Sequence, residues 1–398
     1  FFGYLSFLYY FNKFYKMKKK VYLFFQSICL AIAGLLLLTS GKEDDKSEGT
    51  YAADGPYILY RPTGEMRMIT VGVKGELKDT TYTVSPSDFT FPVVSHGGRH
   101  RFEVTLHSFE RSAWKVAQAE RMLVLSDPHG DLDCFVSVLK NNGVIGDRYE
   151  WTFGEGQLVV IGDVFDRGDD VVPIFWLLYK LEAEAVRQGG AVIFTLGNHE
   201  EMVLRGDMRY TEEKYKHLAD TLGVNYPSLW DENTELGRWL RTRNLIMVVG
   251  DNLIVHAGLS RDFSDWKKAV PLLNEVTGQT LSLGRKERQA YSAAAAFVYD
   301  TKMGPFWYRG MVKSSDRYRP LDTSDLTRLL RRLKVRRVLV GHTIFDDITT
   351  FYQQRVIAIN VDNQENRKKE RGRGILLENG QVFVIYDTKS PQLLTVGK

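Results

Sequence analysis

Six short apolar segments after residue 120 place the strongest constraint on how this chain folds. They read "RMLVLSD", "GQLVVIGD", "AVIFTLGN", "LIMVVGD", "NLIVHAG" and "RRVLVGHT", and each has glycine, aspartate, asparagine or histidine within its last two residues. Apolar runs of this length, bounded by turn-forming residues, are typical of strands buried on both faces. Longer helical patterns such as "DLDCFVSVLKNNG" and "VVPIFWLLYKLEAEAVRQGG" separate several of them. The sequence therefore predicts an α/β fold whose sheets are covered on both faces.

The region before these segments has a shorter, strand-like pattern. "YILYRP", "MRMITVGVKGEL", "TTYTVSP" and "HRFEVTLHSF" are separated by glycine, proline and aspartate. Such spacing indicates short strands joined by turns. We expect a small β-rich N-terminal region at residues 57–115 and a larger domain at residues 116–398.

The N-terminal segment indicates where the protein is delivered. From Met17 the chain has basic residues, an apolar run from Val21 to Leu38 and an acidic stretch, which is the order of a secretory signal. The preceding residues are rich in aromatic side chains and include no methionine, so we expect that translation begins at Met17. Residues 1–41 are predicted to be an export signal or an uncleaved membrane anchor, followed by a linker at residues 42–56. The expected location is the periplasm, or the membrane of a bacterial envelope if the segment is not cleaved.

Composition argues against a nucleic-acid-binding protein and against a fold built on disulfides or cysteine-bound metal. The 53 basic and 49 acidic residues give a net charge of +4, which is too balanced to indicate nucleic acid as a partner. The chain has two cysteines, Cys29 and Cys134, and they lie in different regions. No disulfide framework or cysteine-based metal site is expected. Any metal must be bound through nitrogen and oxygen.

Candidate ligands follow five of the six predicted strands. Each has an ordinary structural explanation, because aspartate often caps a turn or helix and histidine is often a hydrogen-bonded core residue. Loops from neighbouring strands of an α/β sheet nevertheless converge beyond the carboxyl ends, so together these residues predict one site. The candidates are Asp127, His129, Asp163, Asp166, Arg167, Asn198, His199, His256 and His342.

These ligand types suit a pair of metal ions. Imidazole, carboxylate and amide oxygen without thiolate favour Mn, Fe or Zn. Two ions about 3.5 to 4 Å apart can bind both sides of a phosphoryl transfer, and one carboxylate must then bridge them. Asp163 is the best candidate for that bridge because it is central in ligand order. We expect Asp127 and His129 to face one ion from an extended loop.

The segments "DPHGD", "GDVFDRG", "GNHE", "VHAGL" and "GHT" together resemble the calcineurin-like metallophosphoesterase superfamily, in its phosphoprotein-phosphatase branch. "LGRWLRTRN" before "LIVHAGLS", and "GPFWYRG", further resemble the Shewanella-like phosphatases. The resemblance covers roughly residues 121–394. It implies a β-sandwich of two mixed sheets flanked by helices. The "SAPNYC" segment of the eukaryotic branch is absent from the sequence, so the substrate preferences of those enzymes cannot be transferred.

The resemblance also implies a role for each candidate. One metal would be held by Asp127, His129 and Asp163, and the second by Asp163, Asn198, His256 and His342. Arg167 and Arg309 would bind the phosphate oxygens, with Asn198 also near the substrate. His199 would protonate the leaving oxygen as general acid, and Asp166 would hold the other nitrogen of its imidazole.

Asn198 and His199 are adjacent, and we expect an extended backbone to point them in different directions. Glu200 and Glu201 are assigned only a place in the first turn of the following helix, where negative charge is favourable.

These residues predict a dinuclear-metal-dependent phosphomonoesterase with two divalent or trivalent ions (Mn, Fe or Zn). As the resemblance implies, its substrate would be a phosphorylated protein or peptide, through phosphotyrosine or phosphoserine/threonine, or a small phosphomonoester. Alternatives are hydrolysis of phosphoanhydrides such as dinucleoside polyphosphates, broad phosphate scavenging, and a non-catalytic binding module. A membrane is expected as a partner only if the N-terminal segment is uncleaved.

Overall fold

The six apolar segments form strands of two mixed sheets. The computed structural model describes residues 52–83, 89–265 and 269–395, so the predicted export segment lies outside the described residues. The strands are β1 (Asp54–Tyr60), β2 (Met66–Val71), β3 (Leu77–Tyr82), β4 (Thr90–Val94), β5 (Arg101–Thr105), β6 (Lys115–Val116), β7 (Arg121–Ser126), β8 (Gln157–Ile161), β9 (Ala191–Thr195), β10 (Ile246–Val249), β11 (Asn252–Val255), β12 (Arg337–Val340), β13 (Thr349–Phe351), β14 (Val356–Ala358), β15 (Gly374–Glu378), β16 (Gln381–Ile385) and β17 (Gln392–Leu393).

Helices connect these strands and cover the sheets. The α-helices are α1 (Leu132–Asn141), α2 (Val171–Arg187), α3 (Asn198–Leu204), α4 (Glu213–Leu222), α5 (Glu235–Arg241), α6 (Ala269–Thr280), α7 (Arg285–Tyr291), α8 (Ala293–Val298), α9 (Thr323–Leu333) and α10 (Asn363–Lys368), with 3₁₀ turns at Tyr226–Trp230 and Arg261–Asp265. Asp131 caps α1, since its carboxylate accepts from the Cys134 amide. Among the described helices, none has the length and apolar character needed to span a bilayer.

The two six-stranded sheets have the orders β17-β16-β15-β7-β8-β9 and β13-β14-β12-β11-β10-β6. In the first sheet, β7, β8 and β9 are parallel, while β15 pairs antiparallel to β7. In the second sheet, β11, β12 and β14 are parallel, while β10 is antiparallel to β11. The prediction of two mixed sheets is confirmed.

Alternate residues of the central strands face different layers. Met122 and Val124 of β7 lie in an apolar cluster that also contains Ile254 and Leu339 of the other sheet. Their neighbour Leu123 belongs to the cluster that includes the helices. Because one face contacts the second sheet and the other contacts helices, these central strands have consecutive apolar residues and no alternation of polar and apolar ones.

The N-terminal strands pack against the same core. β1, β2 and β3 form an antiparallel sheet, and β4 pairs with β5. The Trp176 indole on α2 donates to the Pro56 carbonyl at 2.8 Å, and its ring lies 4.9 Å from that of Phe91. Two boundaries differ from the sequence expectation. β1 begins inside the predicted linker, and the boundary expected at residues 115 and 116 falls inside β6, which pairs with β10.

Candidate active site

The predicted ligands converge at one edge of the sandwich, beyond the carboxyl ends of β7, β8, β9, β11 and β12. The loops there depart from extended backbone. Left-handed φ values, which are uncommon outside glycine, occur at Asp127 (52°), His129 (43°), Asp163 (56°), Asp166 (70°), Arg167 (68°) and His342 (63°). The expectation that Asp127 and His129 lie in an extended loop is therefore wrong. Such conformations persist where surrounding structure enforces them, and they cluster at active sites.

Close contact between loops explains two of the glycine positions. A Cβ on Gly197 would lie 2.2 Å from Oδ1 of Asp163, and a Cβ on Gly130 would lie 2.6 Å from the carbonyl carbon of Gly168. No side chain fits at either distance. The loops after β7, β8 and β9 thus approach each other more closely than other residues would allow.

One compact group of ligand atoms contains Asp163, His256 and His342, whose atoms lie within 4.8 Å of one another. Nε2 of His256 is 3.1 Å from Oδ2 of Asp163 and 3.0 Å from Oδ1 of Asn198. Its Nδ1 donates to the Ile161 carbonyl at 3.0 Å, which leaves Nε2 for a ligand bond. Nε2 of His342 is buried and has no hydrogen-bond partner among the described residues.

A second compact group contains His129, Asp163 and His199. Nδ1 of His129 donates to the Phe165 carbonyl at 2.8 Å, and its Nε2 lies 3.8 Å from Oδ2 of Asp163. Asp163 is common to both groups, as the bridging hypothesis requires. Although burial by itself raises the pKa of Asp163, the neighbouring His256 and His199 hold it well below its ordinary value.

Asp127 has a different environment from the other predicted ligands. Its carboxylate accepts from the His342 amide at 3.1 and 3.2 Å and from the Ser126 hydroxyl. It belongs to neither of the compact groups found among the described residues. The structure therefore places Asp127 beside the site, with its oxygens directed at the loop that carries His342.

His199 forms a buried pair with Asp166. Nδ1 of His199 lies 2.6 Å from Oδ2 of Asp166, and Thr211 donates to the other carboxylate oxygen at 2.8 Å. Nη2 of Arg167 is 3.4 Å from Nε2 of His199. Burial by itself lowers the pKa of His199, but the carboxylates of Asp163 and Asp166 raise it above its ordinary value. The predicted proton donor and phosphate-binding arginine are thus neighbours.

Arg309 lies beside the loop that carries His342. Its Nη1 donates to the His342 carbonyl at 3.1 Å and to the Thr343 hydroxyl at 2.8 Å. These bonds fix the guanidinium beside the loop of His342 and leave its remaining N–H groups available.

Asn198 and His199 diverge for a different reason from the one expected. Both belong to α3, which begins directly after Gly197, so the expectation of extended backbone is wrong. Successive residues of a helix point about 100° apart, because there are about 3.6 residues per turn. Asn198 is therefore directed at His256, while His199 is directed at Asp166.

Sequence reasoning missed Glu200. Its side chain is fully buried and accepts from the amides of Asp163 (2.8 Å), Val164 (2.8 Å), Phe165 (3.3 Å) and Gly197 (2.7 Å). It thereby holds the Asp163 loop against the start of α3. The bond to Gly197 is half of a capping box, and a glutamate three residues after a helix cap is the sequence pattern that could have revealed it.

The residues present fit metal ions of the expected kind. The donor set is imidazole, carboxylate and amide oxygen, which suits Mn, Fe or Zn. Asp163 is ionised and shared by both groups, so it supplies the negative charge that bound cations would require. A cation would also give the buried Nε2 of His342 a partner.

The sandwich and its paired histidine–carboxylate groups define a metallophosphoesterase, a hydrolase of phosphate esters. Residues 120–345 match the calcineurin-like phosphoesterase family model, and the chain belongs to that family.

The chain is similar to named phosphatases over much of its length. It is 26% identical over 272 residues to Shewanella-like protein phosphatase 2 of Arabidopsis thaliana, covering 57% of this chain and 67% of that protein. It is 29% identical over 260 residues to an uncharacterized Schizosaccharomyces pombe protein, covering 62% of this chain and 74% of the relative. The crystal structure of a cold-active protein-tyrosine phosphatase from a psychrophilic Shewanella species superposes with a TM-score of 0.77 at 28% identity, covering 86% of this chain and 99% of that chain. The family and the fold predicted from the sequence are confirmed.

Proposed function

We propose that this enzyme is a dinuclear-metal-dependent protein phosphatase that hydrolyses phosphotyrosine or phosphoserine/threonine monoesters. One observation carries the proposal: Asp163 is shared by two ligand groups, and the His199–Asp166 pair and Arg167 lie directly beside it. That arrangement provides cation binding, proton donation and phosphate binding within one site.

The ligand sets are those that the family resemblance implies. The grouping of Asp163 with His256 and His342, and with His129, supports them, whereas Asp127 lies in neither compact group. Asp163, Asn198, His256 and His342 would hold one ion, and Asp127, His129 and Asp163 would hold the other. Two such ions would supply Lewis acidity, which neutralises phosphoryl charge and lowers the pKa of a water molecule. The specific metals are proposed to be Mn, Fe or Zn.

The protein itself binds the ester and transfers a proton. Arg167 and Arg309 bind phosphate oxygens, because a planar guanidinium can donate to two oxygens and stabilise charge that develops in the transition state. Nε2 of His199 donates a proton to the leaving oxygen. Asp166 orients that imidazole through Nδ1. Asn198 would bind the ion held by His256 and His342, and it would also lie near the phosphate.

The names of related proteins support protein substrates. Both the Arabidopsis thaliana relative and the Shewanella structure are named as protein phosphatases, and the latter is named as a tyrosine phosphatase. The similarity to that structure covers 99% of its chain and 86% of this one.

Turnover assays test the proposal directly. The purified protein is assayed with p-nitrophenyl phosphate, bis-p-nitrophenyl phosphate, diadenosine tetraphosphate and a phosphopeptide panel, with Mn and with chelator. We expect the phosphomonoesters to be hydrolysed fastest, and chelator to abolish activity. Preference for the diester would contradict a monoesterase, and preference for the dinucleotide would favour phosphoanhydride hydrolysis instead.

We further propose that residues 17–41 direct export to the bacterial envelope. The support is the order of basic, apolar and acidic residues in that segment, which lies outside the described residues. N-terminal sequencing of the protein recovered from a periplasmic fraction tests this. Cleavage near Gly41 is expected, and recovery of intact protein in the cytoplasm would contradict it.

A further inference from the structure

Tyr210 is a large aromatic side chain at the rim of the site. Its ring centroid lies 5.5 Å from that of His199, and Cζ of Arg167 lies 5.7 Å from the ring centroid. The side chain is 47% exposed, about as much as Tyr291 elsewhere on the surface. An exposed tyrosine is ordinary on a protein surface. Tyr210 differs from Tyr291 because it lies against His199 and Arg167.

The backbone around Tyr210 is fixed to the catalytic residues. Its carbonyl accepts from the Arg167 amide at 3.0 Å, and the next residue, Thr211, donates to Asp166 at 2.8 Å. The backbone of Tyr210 is therefore fixed before any substrate arrives, which reduces the ordering cost of binding.

An ion-pair network supports the ring from the solvent side. Asp207 accepts from Arg205 at 2.8 Å and from Arg209 at 2.8 and 2.9 Å. Cζ of Arg209 lies 5.7 Å from the Tyr210 ring centroid, within cation–π distance. Tyr210 thus has a cationic group near it on both the active-site and solvent sides, and about half its surface remains for a ligand.

We infer that Tyr210 binds the aromatic ring of an aryl phosphate ester and so favours phosphotyrosine over phosphoserine. This inference rests on the proposed function, in which His199 protonates the leaving oxygen. In an aryl ester the ring is bonded directly to that oxygen, so it lies next to the imidazole, where Tyr210 is the adjacent aromatic group. Aromatic rings pair favourably at centroid separations of about 4.5 to 7 Å. A phosphoserine ester has a methylene group at this position and gains no such contact.

Two peptides of identical sequence, one with phosphotyrosine and one with phosphoserine, test the inference with the full-length enzyme. We expect the ratio of kcat/KM for the aryl over the alkyl ester to fall about tenfold in Tyr210→Leu. Tyr210→Phe keeps the ring and should keep the ratio. Tyr291→Leu is the matched control, because its tyrosine is equally exposed and contacts Gln279 rather than the site. Competitive inhibition by phenylphosphonate and methylphosphonate should show the same loss of aryl selectivity in binding.

A purely structural role gives a different result. If Tyr210 only held the loop of Asp166 and Arg167, Tyr210→Leu would lower both activities by one factor, and the unchanged ratio would overturn the inference. A wild-type enzyme without aryl preference would overturn it as well. A wild-type enzyme that hydrolyses neither peptide would instead refute the proposed function itself.

Discussion

The two ligand groups share Asp163 yet differ in their surroundings. In the group with His256 and His342, the imidazoles are buried and one of them is fixed by the Ile161 carbonyl. In the group with His129 and His199, the His129 side chain is 13% exposed, and Arg167 and Tyr210 lie nearby. The first group is enclosed in the core and the second opens to solvent. In the proposed function, substrate would therefore approach from the His129 side.

Asp163→Asn tests what the groups share and should have the largest effect. Its oxygens belong to both groups, so loss of the charge weakens both ligand sets at once. We expect kcat/KM to fall by more than about a thousandfold, since electrostatic stabilisation of the transition state depends on both cations. Metal analysis of the purified variant should show fewer than two ions per chain. Full metal content with full activity would contradict the shared-ligand assignment.

His199→Ala tests whether His199 transfers a proton or binds a metal ion. By position alone His199 could bind a cation, but its pairing with Asp166 assigns it to proton transfer. We expect turnover to fall about a hundred- to ten-thousand-fold with both metals retained. His256→Ala is the matched control and should weaken binding of the enclosed metal. Loss of metal from His199→Ala would show that His199 is a ligand instead.

Glu200→Gln tests how the shared carboxylate is positioned. The amide can accept from only some of the four N–H groups that the carboxylate now accepts from, and its own N–H₂ faces donors. We expect metal affinity or activity to fall about ten- to a hundredfold. The free energy of unfolding should fall by about 1–3 kcal/mol. Denaturant titration and turnover measure these effects.

Glu213→Gln serves as the control for that substitution. The Glu213 side chain is 87% exposed and pairs with Lys216 at the surface, so little change is expected. Equal losses in the two variants would show that burial of Glu200 has no special role.

Thr211→Val changes only the surroundings of Asp166 and His199, and we expect it to lower activity less than the substitutions above. It removes the hydrogen bond to Asp166 while conserving shape. One such bond corresponds to about a three- to tenfold loss of kcat. Because Asp166 acts through His199, the loss should be equal for aryl and alkyl esters, in contrast to Tyr210→Leu. An unchanged kcat would show that Thr211 does not position the pair.

Sequence alone determined the strands and the chemistry at their ends. Within "GQLVVIGD" the residues "LVVI" are apolar at consecutive positions because both faces of β8 are buried, and that property is local enough to read directly. Parallel pairing brings the candidate ligands that follow β7, β8 and β9 to one edge of their sheet, and those that follow β11 and β12 to one edge of the other.

Only the tertiary structure decided the directions of the side chains. Left-handed backbone at Asp127 and Asp163, the helix that separates Asn198 from His199, and the four bonds to Glu200 all depend on contacts between loops distant in sequence. Tyr210 likewise lies eleven residues beyond His199, and the chain returns to the site only because Thr211 and Arg167 hold it there. Hydrophobic periodicity reports which face of a strand or helix is buried, whereas a loop conformation is set by the atoms packed against it.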